Sequence, residues 1–168
     1  MIPMSSQIFC SHYAPYTHPP ATHLCYEVYR NEVLVDSGHL ANSGDHAERI
    51  FLGERFHHSW RPCTIKWYIS WSPCDHCMEI LLNTFLPANP DIRLFIFFAK
   101  RFHHTSSNNI RELRRRGVRI YVMTSPDFRH CWEEFVDNNQ QPFEPWNNLR
   151  SNNTKAHQWL MDAFQGHV

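Results

Sequence analysis

Apolar positions recur along this chain with two different periods. Residues 24–30 and 33–40 are rich in β-branched and aromatic side chains, and Asn31 falls between them. That pattern predicts two strands joined by a tight turn. Residues 41–44 (Ala-Asn-Ser-Gly) predict a loop, followed by a helix over 46–58. Residues 64–70 again read as a strand, and a helix from 74 to about 86 follows, stopped by Pro87. The nearly continuous apolar run at 92–98 predicts a strand buried on both faces. A polar loop over 101–109 leads to a helix reaching Arg116. A strand at 118–123, a helix at 126–136 and a terminal helix at 154–164 complete the reading. Pro15, Pro19 and Pro20 make 13–20 a loop. Two strands followed by strand–helix alternation predict an α/β domain with helices on both sides of a mixed sheet.

Length and composition refine this picture. At 168 residues the chain is expected to form one domain over 1–168, with enough apolar content (42%) to bury a core. No apolar run approaches the ~20 residues of a membrane span, and the N-terminus lacks the pattern of a signal peptide. No membrane partner is therefore expected. Cys10, Cys25, Cys63 and Cys131 have apolar or aromatic neighbours and are expected to be buried free thiols, which fits a reducing compartment. The expected location is the cytoplasm, with the nucleus as the alternative. Lys+Arg and Asp+Glu are 16 each, which argues against a protein held on nucleic acid by bulk charge. The charges are uneven, however: Lys100, Arg101, Arg111, Arg114, Arg115, Arg116 and Arg119 lie close together. That run reads equally as a solvated helix face or a phosphate-binding surface. Thirteen histidines could add charge below about pH 6.5.

The chemistry is concentrated in two short segments, His46-Ala47-Glu48 and Pro73-Cys74-Asp75-His76-Cys77. His46, Cys74 and Cys77 are zinc ligands in type and number, and three protein ligands leave a tetrahedral ion one position for water, as in catalytic sites. Such water has a pKa near ~7. Glu48 can then move protons, and H-x-E…P-C-x-x-C is the known signature of zinc deaminases acting on nucleobases. Cys74 and Cys77, three apart, would share a face in the first turn of a helix opened by Pro73. Residues two apart on a regular helix diverge, so His46 and Glu48 can serve one site only if His46 occupies an irregular helix start, with Asp45 as N-cap. The ligands would thus come from the starts of two helices entering beside neighbouring strands.

Further segments make the match specific. Leu24-Cys25-Tyr26-Glu27-Val28, Trp67 to Cys74 (Trp-Tyr-Ile-Ser-Trp-Ser-Pro-Cys), His130 to Val136 and Pro142-Phe143-Glu144-Pro145-Trp146 resemble the AID/APOBEC polynucleotide cytidine deaminases, most closely single domains of the antiviral branch. The resemblance implies a cytidine-deaminase-like fold with a five-stranded mixed sheet flanked by about six helices. It implies one Zn²⁺ per chain, and cytosine-to-uracil deamination in single-stranded DNA, less often RNA. It places Glu48 as proton shuttle, Trp71 and Ser72 in the pocket, Thr22 at its wall, and Asn42 at the sugar of the target nucleotide. The loop reading the base 5′ of the target would begin Ala99-Lys100-Arg101-Phe102-His103-His104, where relatives usually have Ala-Arg-Leu-Tyr or Ala-Arg-Ile-Tyr. Arg101, Phe102 and His103 are thus expected to contact substrate with a context of their own. Pro19 and Pro20 stand where many members carry basic residues, and His18 is expected to substitute for them. Two other readings are a silent nucleic-acid-binding domain and an RNA editor. The sequence leaves the oligomeric state open.

Overall fold

In the computed structural model, which describes residues 1–167, the chain opens with elements that the sequence pattern did not predict. Strand β1 (Met4–Ser5) leads into helix α1 (Ser6–Tyr13), and the Ser5 hydroxyl caps that helix by accepting the Ile8 N–H at 3.1 Å. Strands β2 (His23–Arg30) and β3 (Val33–Ala41) follow as expected. Asn31 and Glu32 join them with φ of 49° and 65°, the paired positive values whose twist matches flanking strands.

Helix α2 (Ala47–Ile50) widens into a π turn over Phe51–Arg55, and a 3₁₀ turn at His58–Trp60 precedes β4 (Cys63–Trp71). Helix α3 (Asp75–Ile80) widens in the same way over Leu81–Phe85 before α4 (Leu86–Ala88). Pro87 therefore does not end the helix at 86. It sits in the first turn of α4, where its missing N–H costs no helical bond. Strand β5 (Ile92–Lys100), helix α5 (Ser107–Arg115), strand β6 (Arg119–Val122), helix α6 (Ser125–Phe135), strand β7 (Val136–Asp137) and helix α7 (Leu149–Gln165) complete the chain. Helix α7 starts at 149 rather than 154, directly after Asn148 in a left-handed conformation.

The main sheet has the order β3-β2-β4-β5-β6, with β2 antiparallel to both neighbours and β4, β5 and β6 mutually parallel. Strands β1 and β7 form a separate two-stranded parallel pair. Helices α2, α3, α5 and α7 cover one face of the main sheet, where Phe51, Met78, Leu113 and Trp159 pack on Trp67, Ile96, Phe98 and Val122. Helices α1 and α6 cover the other, with Phe9, Tyr13, Phe128 and Phe135 against Cys25, Tyr68 and Met123. Strand β5 corrects one expectation. Leu94, Ile96 and Phe98 are buried, but Phe95 and Phe97 are only half-buried, so both faces are covered only at its C-terminal end. Cys25, Cys63 and Cys131 are buried as expected, whereas Cys10, on the outward side of α1, is exposed; all six cysteines are free.

Candidate metal centre and substrate pocket

Strands β3 and β4 are each antiparallel to β2, so their C-termini emerge at the same end of the sheet and deliver α2 and α3 there. They are not neighbours, as the sequence had suggested, because β2 runs between them. His46 is the N-cap of α2, with φ −70° and ψ 142°, and Cys74 is the N-cap of α3, with φ −69° and ψ 163°. Both caps are extended, so neither follows the helical direction of the residues after it. That is how His46 and Glu48 reach one cavity despite their spacing. Asp45 is not the cap. Its Oδ1 accepts the His46 N–H at 2.8 Å and pairs with Arg49 at 3.1 Å, while Asn42 Oδ1 accepts the Ala47 N–H at 2.8 Å. Pro73 likewise lies one residue before the cap, outside the helix.

The donor atoms of His46, Cys74 and Cys77 all lie within 4.8 Å of one another. His46 Nδ1 is 3.3 Å from Cys77 Sγ and 3.5 Å from Cys74 Sγ. Tetrahedral zinc with ordinary Zn–S and Zn–N lengths requires a sulfur–nitrogen separation of about 3.5 Å. The residues therefore fit such an ion in both type and spacing. The two thiols interact strongly. The hydrogen bond from Cys77 pushes Cys74 down to about 5, and donating that bond pushes Cys77 up. Glu48 is 3% exposed, and burial pushes its carboxyl up to about 7. Its Oε2 has no hydrogen-bond partner among the described residues, an orphaned acceptor beside the donor cluster.

A cavity of about 360 Å³ opens over this cluster, lined by His18, Thr22, Asn42, Trp71, Phe102 and His103 together with Glu48 and Ser72. The structure thus brings eleven of the twelve residues singled out from the sequence into one place, counting Cys77 through its metal-ligand group. Arg101 is the exception. Its guanidinium lies 4.5 Å from the ring centroid of Trp159 on α7, outside the cavity lining.

Two of the lining residues have roles that the sequence did not show. Thr105 Oγ1 donates to Pro73 O at 2.7 Å, so the Ser72 hydroxyl must supply the proton of their 2.8 Å contact. Ser72 Oγ also accepts the Phe102 N–H at 2.8 Å. This chain of bonds ties the loop after β5 to the start of α3 and directs the Ser72 hydroxyl inward. Asn42, engaged through Oδ1, keeps its two N–H donors without a protein partner among the described residues.

The rim is fixed by bonds that the sequence did not show. Trp71 Nε1 donates to Pro19 O at 3.0 Å, which holds the 14–22 loop across the cavity mouth. Lys100 is 6% exposed, with Nζ 4.7 Å from the Trp71 ring. It donates to the carbonyls of His12 and Ala14, and burial pushes it down to about 7. Asp75 Oδ1 accepts the Ser106 N–H at 2.8 Å and Asn109 Nδ2 at 3.1 Å. The one sequence signal for these bonds is that Trp71 and Asp75 stand within the motif segments and Lys100 directly before the loop after β5.

The family model described as APOBEC3, cytosine deaminase domain, matches residues 3–164. The chain belongs to this family. The APOBEC3 match accounts for the five-stranded mixed sheet and the placement of the His/Cys/Cys group, and the architecture is a cytidine-deaminase-like fold. The chain is 32% identical over 164 residues to the DNA dC->dU-editing enzyme APOBEC-3H of Felis catus, covering 89% of this chain and 84% of that one. It is 37% identical over 103 residues to the C->U-editing enzyme APOBEC-1 of Mesocricetus auratus, covering 57% of this chain and 44% of that one. Against the DNA dC->dU-editing enzyme APOBEC-3G of Lagothrix lagotricha it is 33% identical over 120 residues, 64% of this chain and 30% of that one. The match thus spans less than half the length of these last two relatives.

Proposed function

We propose that the protein is a zinc-dependent deaminase converting cytosine to uracil in single-stranded DNA, with RNA as a lesser substrate, in defence against viruses and retroelements. The observation that carries this reading is Glu48: a buried carboxylate with an oxygen unpartnered among the described residues, beside a His/Cys/Cys group of tetrahedral spacing, at the floor of a cavity roomy enough to admit a base with its sugar. His46, Cys74 and Cys77 would hold the zinc, which supplies a Lewis acid that makes water nucleophilic at neutral pH. Glu48 takes a proton from the water that attacks C4 and delivers it to N3. It then moves the remaining hydroxyl proton to the exocyclic amine, the C4–N bond breaks, and ammonia leaves as the C4 carbonyl forms. Trp71 supplies a flat wall for the flipped base, Asn42 offers N–H donors toward the sugar, and Thr22 closes the side. Phe102, His103 and His18 stand at the mouth, where the flanking nucleotides pass.

RNA editing is the second reading, favoured by the similarity to proteins named C->U-editing enzymes in Mesocricetus auratus and Mus musculus. Sequencing of a mixed single-stranded DNA and RNA pool after incubation separates the two. Glu48→Ala is expected to lose all deamination on either pool while retaining about one zinc per chain and near wild-type single-strand affinity. A variant keeping a tenth of the rate would remove Glu48 from the mechanism. Wild-type protein that binds the pool and leaves every cytosine intact would make this a binding domain.

A further inference from the structure

Helices α1 and α6 cover their face of the sheet only toward the C-terminal ends of the parallel strands, where Tyr68, Ala99 and Met123 are buried. Nearer the N-terminal ends the same face is bare: Arg93 and Arg119 are exposed, and Lys66 and Phe95 are half-buried. Strand register decides which groups meet. Lys66 lies opposite Phe95, and Phe95 opposite Arg119, so three adjacent strands set one ring between two cations. Arg93, on the same side of β5 as Phe95, adds a third. Lys66 Nζ stands 6.0 Å from the Phe95 centroid, and the guanidinium carbons of Arg93 and Arg119 are each 5.9 Å away.

Among the described residues none of these three cations forms a salt bridge. The acids nearby are engaged or peripheral. Glu27, opposite Lys66 on β2, is buried and bonded to His130, Asp91 pairs with Arg61, Glu32 sits on the turn beyond, and exposed Glu134 on α6 stands toward Tyr29 and His130 at the margin of the face. Tyr121, 41% exposed, extends the aromatic surface by stacking on Phe97 at 5.2 Å. Like charges facing each other across strands lower stability on their own. A polyanion relieves that repulsion, and the rings between the cations narrow its chemistry. An acidic peptide brings a ring only where its sequence carries an aromatic residue, whereas every nucleotide pairs a phosphate with a flat base, and a base stacks on such rings for roughly 1–3 kcal/mol. Single strands are held in this way on open sheets elsewhere, with bases on aromatic side chains of the strands.

We propose that this bare sheet face is a second binding site for single-stranded polynucleotide, taking bases on Phe95 and Tyr121 and phosphates on Lys66, Arg93 and Arg119. Lys66 precedes Trp71 by five residues along β4, which puts the site roughly 17 Å from the pocket wall. The proposal does not depend on deamination. It is tested with 30-nucleotide oligo(U) and oligo(dT), binding being followed against salt for wild type and for Lys66→Gln/Arg93→Gln/Arg119→Gln. Each lost phosphate contact lowers the slope of log affinity against log salt by ~0.7 on single strands, so the variant is expected to be shallower by about 2. In wild type, 4-thiouridine in the oligo(U) is expected to crosslink to peptides containing Phe95 and Tyr121. This map decides alone if the variant does not fold. Crosslinks confined to residues 71–72 and 102–104, or an unchanged slope in a folded variant, would overturn the proposal. A variant that converts a sedimenting dimer to monomer without changing the slope would assign the face to a second copy of the chain, also against it.

Discussion

Phe102 shares the cavity wall with Trp71, ring centroids 6.1 Å apart, whereas its neighbour Arg101 turns away to lie against Trp159. The two side chains therefore separate binding from stability. Phe102→Ala removes a stacking face worth roughly 1–3 kcal/mol and is expected to weaken oligonucleotide affinity about tenfold. Arg101→Ala removes a cation–π contact of about 0.5–1 kcal/mol. It is expected to lower the melting temperature by about 2–4 °C per kcal/mol while leaving affinity within twofold, as anisotropy titration would show. His103 lines the mouth rather than the floor, so His103→Asp is expected to change the sequence context of edited sites more than the overall rate. The ligand triad was legible because His46-Ala47-Glu48 and Pro73 to Cys77 are two short segments whose chemistry is specific, although they stand far apart in the chain. The true place of Arg101 was not, because Trp159 becomes its neighbour only once α7 docks.

At the scale of elements, the strands were legible and the helix caps were not. Alternation and β-branching mark a strand over its whole length, but a cap depends on which nearby oxygen reaches a free N–H. Asn42 and Asp45 both fit α2, and the loop geometry gives the Ala47 N–H to Asn42. Helix α1 went unread because eight residues carry little periodicity, and its packing partners Cys25, Tyr68 and Phe135 lie far along the chain. Asp75 shows what a cap neighbour can do. By accepting from Ser106 and Asn109 it anchors the far end of the 101–106 loop. Asp75→Ala is expected to leave zinc content unchanged and raise KM for a short oligonucleotide several-fold, because Phe102 and His103 lose a fixed base. Elemental analysis with steady-state kinetics separates this from a folding defect. Helix α6 has a reciprocal capping box between Thr124 and Asp127, so Asp127→Ala is expected to cost about 1 kcal/mol by denaturant titration.

Across the whole molecule, histidines packed between elements make stability depend on pH. His23 on β2 is 7% exposed, with Nδ1 2.9 Å from His39 Nε2 on β3 and its ring 4.2 Å from that of His12 on α1. Burial first, then His12 and His39, lowers it to about 3. Burial and Arg55 lower His39 as well. Below about pH 6.5 the unfolded chain binds protons that the folded chain refuses, so stability falls with acid, by at most about 1.4 kcal/mol per pH unit for each such group. His130 has the opposite sign: its bond to Glu27 raises it, and that contribution is lost as pH rises. His23→Gln is expected to lose less melting temperature than wild type between pH 7.5 and 5.5, by about 2–4 °C per kcal/mol recovered. Parallel acid limbs for the two proteins would assign the loss elsewhere.

The 14–22 loop is pinned at both ends and in the middle. Lys100 holds the carbonyl of Ala14, Thr22 O accepts the Asn42 N–H at 3.1 Å, and Pro19 O accepts from Trp71. All three anchors on the loop side are backbone carbonyls, which every amino acid provides. Thr17 adds a side-chain tie, its Oγ1 donating to Ala14 O at 3.0 Å and accepting from Lys100 Nζ at 3.4 Å, but the side chains of His18, Pro19 and Pro20 take no part in the three carbonyl anchors and can change without undoing them. Under the proposed function, substitutions at His18, Pro19 and Pro20 would alter which flanking nucleotides the mouth accepts while the residues around Glu48 stay in place.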